Sequence, residues 1–161
     1  MAVTTESSSQ IGKQDGTPPT MLDTRDLHGR VRFARFDFTQ GAAAGDAASI
    51  QRLIKIPAGK VRVLLALSRI ANSDFGAART LDLGWEAYTK NNGVAVAVNF
   101  AGLDAAQAVT PAGAYAPTGT VGGDETFEFD SDKGVNICSR VAGGTIPAAA
   151  TIKGYLAYVV D

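Results

Sequence analysis

The chain has 161 residues, a formal net charge of −1 and only 19% charged residues, fewer than the roughly 25% usual for globular chains. A single domain of this size buries about 70% of the surface its unfolded chain exposes, so it needs no stapling bond to hold a core. The near-zero charge removes any electrostatic reason to expect nucleic acid or an anionic membrane as partner, and a charge-poor surface leaves area for contact with other subunits.

The first residues, Met1 to Gln10, carry neither the basic start nor the apolar stretch of a signal peptide. No later apolar run approaches the roughly 20 residues that cross a bilayer as a helix. The expectation is a chain that is neither exported by that route nor membrane-spanning. Residues 1–30 are rich in Ser, Thr, Gln, Gly and Pro, and Pro18-Pro19 bars regular helix or central strand. They read as an extended N-terminal arm whose ordering calls for another chain, the alternative being that it folds back along its own domain or is fixed by a crystal contact, and residues 31–161 read as the β domain.

From Val31 the pattern has period two. Val31 and Phe33 share one face, Phe36 and Phe38 the other, and the phase break at Ala34-Arg35 predicts a bulge or bend. Ile50, Ile54 and Ile56 are in phase and end at Pro57-Ala58-Gly59, a tight turn. Val61, Val63, Leu65 and Leu67 share a face. Leu64 and Ala66 make the other face apolar, which predicts a central strand covered on both sides. Leu81, Leu83, Trp85 and Ala87 alternate with polar residues. Asn91-Asn92-Gly93 then signals a hairpin into Val94, Val96, Val98 and Phe100.

Leu103 to Val109 reads as one or two helical turns, and residues 110–124 as a long loop with room for one short strand. Phe127 and Phe129 alternate with polar residues. Asp130-Ser131-Asp132-Lys133-Gly134 turns the chain, and Val135 and Ile137 resume a strand. Ile152 to Val160 is apolar on both parities and predicts a strand interior to a sheet. The sum is about eight strands and one short helix: an all-β chain, an antiparallel β-sandwich of jelly-roll-like kind or a barrel.

Chemistry finds little purchase. The lone histidine, His28, lies in the polar arm and reads as a surface residue. Cys138 is the one cysteine, so no internal disulfide or cysteine-based zinc site can form, which is compatible with a reducing cytoplasm. It lies mid-strand on the parity opposite Val135 and Ile137, and packing is its expected role. Asp124, Glu125, Glu128, Asp130 and Asp132 form an acidic stretch that starts like a calcium loop. Gly134 then stands where Asp or Asn belongs and Val141 where the closing Glu belongs, so a hairpin turn explains the segment better. The glycine-rich stretches at 41–46 and 119–124 lack the Lys-Ser or Lys-Thr of a phosphate loop. No catalytic, cofactor or metal residue is assigned, and Trp85 falls on the core parity of its strand. Arg30 and Arg32 share a face, and Arg62 could lie across the sheet from them. The basic residues, with Arg35, Arg52, Lys55, Lys60, Arg69 and Arg79, read as solvated faces or as a basic edge meeting an acidic neighbouring subunit.

The Pro-bearing arm, the segment Ile54-Lys55-Ile56-Pro57-Ala58-Gly59-Lys60-Val61-Arg62-Val63, the Ala/Gly-rich loops and the closing Gly154-Tyr155-Leu156-Ala157-Tyr158-Val159-Val160 together resemble structural proteins of tailed-bacteriophage virions. They are most similar to small β-sandwich capsid decoration (cement) proteins, in the style of the whole chain rather than in one signature. The resemblance implies no enzymatic activity and no cofactor. It implies a homo-oligomer, a trimer by preference, made in the host cytoplasm and placed on the capsid surface. The implied partner is the major capsid protein lattice, stabilised by many weak contacts that sum over a closed shell. In the arm, Pro18, Pro19, Met21 and Leu22 are the only compact apolar cluster and are the expected docking residues. Other readings stay open. One is a tail, connector or fibre-associated virion protein. A second is a carbohydrate-binding module using Tyr88, Tyr115 and Trp85. A third is a small hydrolase with two acids roughly 5–10 Å apart.

Overall fold

The computed structural model describes residues 30–46, 49–119 and 125–160. The arm residues Pro18, Pro19, Met21, Leu22 and His28 therefore lie outside the described residues, as does Asp124. The described chain is all strand and turn: β1 (Arg32–Thr39), β2 (Ile50–Ile56), β3 (Gly59–Asn72), β4 (Thr80–Trp85), β5 (Tyr88–Thr89), β6 (Ala95–Val96), β7 (Asn99–Ala108), β8 (Gly113–Tyr115), β9 (Thr126–Ser131), β10 (Val135–Ala142) and β11 (Thr151–Val160).

Two antiparallel sheets make a sandwich. The larger has the order β1-β11-β3, with β9 and β8 sharing the far edge of β3; the smaller has the order β2-β10-β4-β7. Numbering only the eight long strands along the chain gives 1-8-3-6 opposite 2-7-4-5. That is the jelly-roll order, in which successive strands repeatedly cross from one sheet to the other. The Pro57-Ala58-Gly59 turn serves one such crossing, because β2 and β3 belong to different sheets.

Alternation sends one side of each sheet inward. The larger sheet contributes Phe36, Val61, Val63, Ile70, Phe129, Ile152 and Leu156; the smaller contributes Ile56, Leu81, Leu83, Trp85, Val135, Ile137 and Val141. Each fully buried side chain of this kind contributes about 1.5–3 kcal/mol from removal of apolar area. Trp85 anchors one end of the core. Its ring lies 4.6 Å from Phe127 and 5.5 Å from Phe129, and its indole N–H donates to the Ala97 carbonyl at 3.2 Å. The last strand is interior, between β1 and β3, as its two apolar parities predict.

Four expectations need correction. First, β1 pairs with β11 without any shift, so Ala34-Arg35 is no bulge; the phase change reflects an exposed Phe33 on the outer face and buried Phe36 on the inner one. Second, the irregularity lies in β3. Tyr155 pairs with Arg69 and Ala157 with Leu64, so β3 bulges by three residues between the two pairs. The bulge turns Ser68 inward and sends Leu67 outward, 54% exposed, so this central strand is not covered on its outer side among the described residues.

Third, residues 103–108 are strand, not helix. β7 pairs with β4 through two register shifts, and Ala106 has a φ of +52°. The main-chain N–H of Ala106 donates to Asp82 Oδ1 at 2.9 Å, which holds this unfavourable backbone in place. The irregular ladder erased the period-two pattern. Fourth, the Asn91-Asn92-Gly93 hairpin forms, but it joins only Tyr88–Thr89 to Ala95–Val96 in a small separate ribbon. Val94 and Val98 stay exposed.

Candidate functional site

The outer face of the larger sheet differs in chemistry from that of the smaller. Residues directly opposite in an antiparallel ladder share a face. Arg35 pairs with Tyr155 and Tyr155 with Arg69, so a tyrosine lies between two arginines across three strands. In the next row Phe33, Ala157 and Leu64 are in register. Phe33 is 60% exposed and its ring meets Tyr155 edge-on at 5.4 Å. Leu67 projects from the β3 bulge beside these rows. Phe33 and Leu67 are the exposed large apolar side chains here, while Ala157 is fully buried; beside them lies a groove of about 400 Å³ lined chiefly by Arg35, Asp37, Arg69, Ala71, Lys153 and Tyr155. Lys153 pairs with Asp37 at 3.2 Å, whereas neither Arg35 nor Arg69 has an ion-pair partner among the described residues.

In the smaller sheet two arginines meet acids. Arg52 Nε lies 2.6 Å from Glu86 Oε1, and Asn136 Nδ2 donates to Glu86 Oε2 at 2.8 Å. These two contacts hold the Glu86 carboxyl below the usual carboxylate range. Arg140 reaches Asp82 Oδ2 at 3.2 Å and stacks 5.1 Å from the centre of the Phe100 ring. Cys138 lies in register between Arg52 and Gly84 and is fully buried; burial pushes its thiol up to about 12. Such a thiol packs and does not attack, in agreement with the packing role read from its position.

Two buried carboxylates remain. Asp82 is committed to Arg140 and to the Ala106 N–H. Asp104 is 2% exposed and accepts from the Thr118 hydroxyl at 3.0 Å; burial raises its carboxyl above the ordinary range and the Thr118 contacts partly oppose this. Its second oxygen, Oδ2, has no hydrogen-bond partner among the described residues, and the same is true of the Tyr115 hydroxyl. Burial and the nearby Asp104 charge together push the Tyr115 hydroxyl upward. Both acids are sealed inside the sheet rather than lining a cleft that a substrate could enter.

Of the residues singled out from sequence, Trp85 is core, as its parity predicted, and offers no open stacking face. Tyr88 is half-buried against Phe129 at 5.9 Å, so the three aromatics of a sugar groove are not brought together at the surface. Asp130 accepts from Asn91 Nδ2 at 2.5 Å, and Gly134 takes a φ of +84°, the turn geometry that the segment predicts. Arg32 and Arg62 occupy opposite faces, because Arg32 aligns with Tyr158 and Val63 while Arg62 aligns with Val159. The basic pair that the fold does assemble, Arg35 and Arg69, was not legible in advance. Its signal was the odd parity of Phe33 and Arg35 on one strand, but the bulge in β3 hides the match with Arg69.

No family model and no curated protein matches the chain. Among solved structures, it is similar to a chain of the Cyanophage Pam1 capsid asymmetric unit. The likeness covers 83% of this chain and 86% of that one, with 16% sequence identity and a TM-score of 0.50. At that identity the likeness is one of fold.

Proposed function

We propose that the chain is a non-enzymatic phage virion protein that decorates and stabilises a capsid by binding the lattice of the major capsid protein. The observation that carries this reading is the jelly-roll sandwich shared with a chain of the cyanophage capsid. The outer face of the larger sheet supports it. Exposed Phe33 and Leu67 near arginines that have no ion-pair partner among the described residues are suited to contact with another protein surface. Weak contacts of this kind, repeated over a shell by a homo-oligomer such as a trimer, sum to a firm attachment on the virion surface. The arm residues Pro18, Pro19, Met21 and Leu22 would add contacts across joints between capsid subunits.

Quantitative mass spectrometry of purified particles from the source tests the reading. A copy number equal to that of the main shell protein, or a simple fraction of it, supports decoration. A handful of copies moves the chain to the tail, connector or fibre, and its absence from particles overturns a virion role. Deletion of residues 1–24 should abolish particle binding while the sandwich stays folded, and unchanged binding removes the arm from the reading.

A further inference from the structure

The edge of a sheet is a row of unpaired N–H and C=O groups, and proteins blunt such edges with short strands, bulges, Pro or charged side chains. Most edges of the two sheets are blunted in this way. β8 is three residues long, and β7 is broken by two register shifts. β2 carries only cations, Arg52 and Lys55, and β9 only acids, Glu128 and Asp130. β1 differs. All eight of its residues pair with β11 in one unbroken register, and its other side has no neighbouring strand among the described ones. It has no Pro and no Lys, and its outer face carries both signs of charge, Arg35 and Asp37.

A second copy of β1 matches this edge. Residues opposite each other in an antiparallel ladder share a face, so a two-fold axis normal to the sheet passes where a residue faces its own counterpart. An axis at Arg35 sets that arginine against itself, and an axis at Asp37 sets that acid against itself. Like charges directly opposite are destabilising. An axis at Phe36, between them, sets Arg35 against Asp37 on both sides. The same register sets Phe33 against Thr39 on the outer face. On the inner face it sets Phe38 against Ala34, a large side chain against a small one, both half-buried in the free chain. Asp37 Oδ2 meets Lys153 at 3.2 Å, which leaves Oδ1 for an arginine, and Arg35 has no ion-pair partner among the described residues.

We propose that the β1 edge is a docking site for a second copy of this chain, antiparallel about Phe36, so that the two larger sheets join into one and Arg35 of each copy meets Asp37 of the other. Main-chain hydrogen bonds supply the attachment, and the two charged pairs fix the register. The contact goes beyond the virion reading, since it concerns two copies of the free protein, and it leaves other surfaces for any further contacts an oligomer adds.

The test is oxidative cross-linking of the purified full chain. One preparation carries Phe33→Cys and a second carries Thr39→Cys, both at exposed sites. Cα atoms of opposite residues stand about 4.5–5.5 Å apart, within disulfide reach, whereas the two copies of position 33, or of position 39, stand about 20 Å apart. The mixed preparations should therefore cross-link about ten-fold faster than either one alone. Arg35→Asp in both chains should slow the mixed bond several-fold, and so should Asp37→Arg in both. Arg35→Asp in one chain with Asp37→Arg in the other should restore the rate, which separates charge matching from damage to the fold; an unchanged thermal transition checks each variant. Copy number on particles bears on the virion reading alone, so the two readings fail separately. Equal rates for mixed and like pairs overturn the proposal, and so does a mixed bond whose rate is the same whatever charges stand at positions 35 and 37.

Discussion

The Ser68 hydroxyl accepts the main-chain N–H of Ala157 at 3.0 Å and donates to the Leu64 carbonyl at 2.8 Å. One side chain thus replaces the ladder bonds that the β3 bulge removes. Ser68→Ala leaves the buried Ala157 N–H without a partner and should cost about 1–3 kcal/mol, read as a lowered urea midpoint with an unchanged m-value. An unchanged midpoint would mean that the bulge is held by packing alone.

Gly102 faces the indole of Trp85. A methyl group built on Gly102 would come within 2.1 Å of the Trp85 ring, which is wedged against Phe127 and cannot retreat. Gly102→Ala should therefore destabilise by about 3 kcal/mol or more and shift the tryptophan emission to the red. The smaller Trp85→Phe in the same background should recover part of the loss. Emission and stability equal to the parent protein would contradict this packing.

The Cys138 thiol, raised to about 12 by burial, should hardly react with iodoacetamide while the protein is folded. At pH 8 its thiolate fraction is about 10⁻⁴, some 10³-fold below that of an ordinary cysteine. Labelling followed by mass spectrometry should rise only as denaturant unfolds the chain. Rapid labelling of native protein would place the thiol at an accessible surface.

Asp104 should make stability depend on pH in an unusual direction. Burial raises its carboxyl in the folded state, so the folded chain binds that proton more tightly than the unfolded chain does. Its contribution is fully present below the ordinary carboxylate pKa, about 3.9, and is lost as pH rises through the raised folded value. Glu86, held low by Arg52 and Asn136, acts in the opposite sense as pH falls. The difference between wild type and Asp104→Asn isolates the first effect. Wild type should gain relative to the variant on acidification, and Asp104→Asn should be the more stable of the two near neutral pH. Parallel pH profiles would show that the Asp104 carboxyl is not perturbed.

The regular strands were legible because their environment is regular. Leu81, Leu83 and Trp85 alternate with Asp82 and Gly84, and the two-sided apolar pattern of Ile152 to Val160 marked an interior strand that the fold indeed contains. What failed was period-two reasoning across a bulge. Leu67 follows Leu65 in phase, yet the inserted residues turn it outward; Ala105, Ala106 and Ala108 are apolar by composition and exposed in fact. An alanine contributes too little area to force a face inward, so the helical reading of residues 103–109 rested on side chains that decide nothing.

The candidate face was legible only in fragments. Phe33, Arg35 and Tyr155 are far apart along the chain, and nothing local says that β1 pairs with β11 rather than with β2. The Arg35–Tyr155–Arg69 row also needs the bulge offset to be known, and that offset depends on Ser68 reaching Ala157. By contrast, the core role of Trp85 followed from its own strand.

The pairing of Arg32 with Tyr158 has a consequence for biosynthesis. Among the described strands β1 is hydrogen-bonded only to β11, so on a ribosome it waits with an unpaired edge until Thr151–Val160 has been translated. Closure of the larger sheet then waits for β11 and is slow, as for other topologies dominated by distant contacts. Throughout synthesis, the nascent chain presents Phe33 and Phe36 on that open edge to any chaperone within reach.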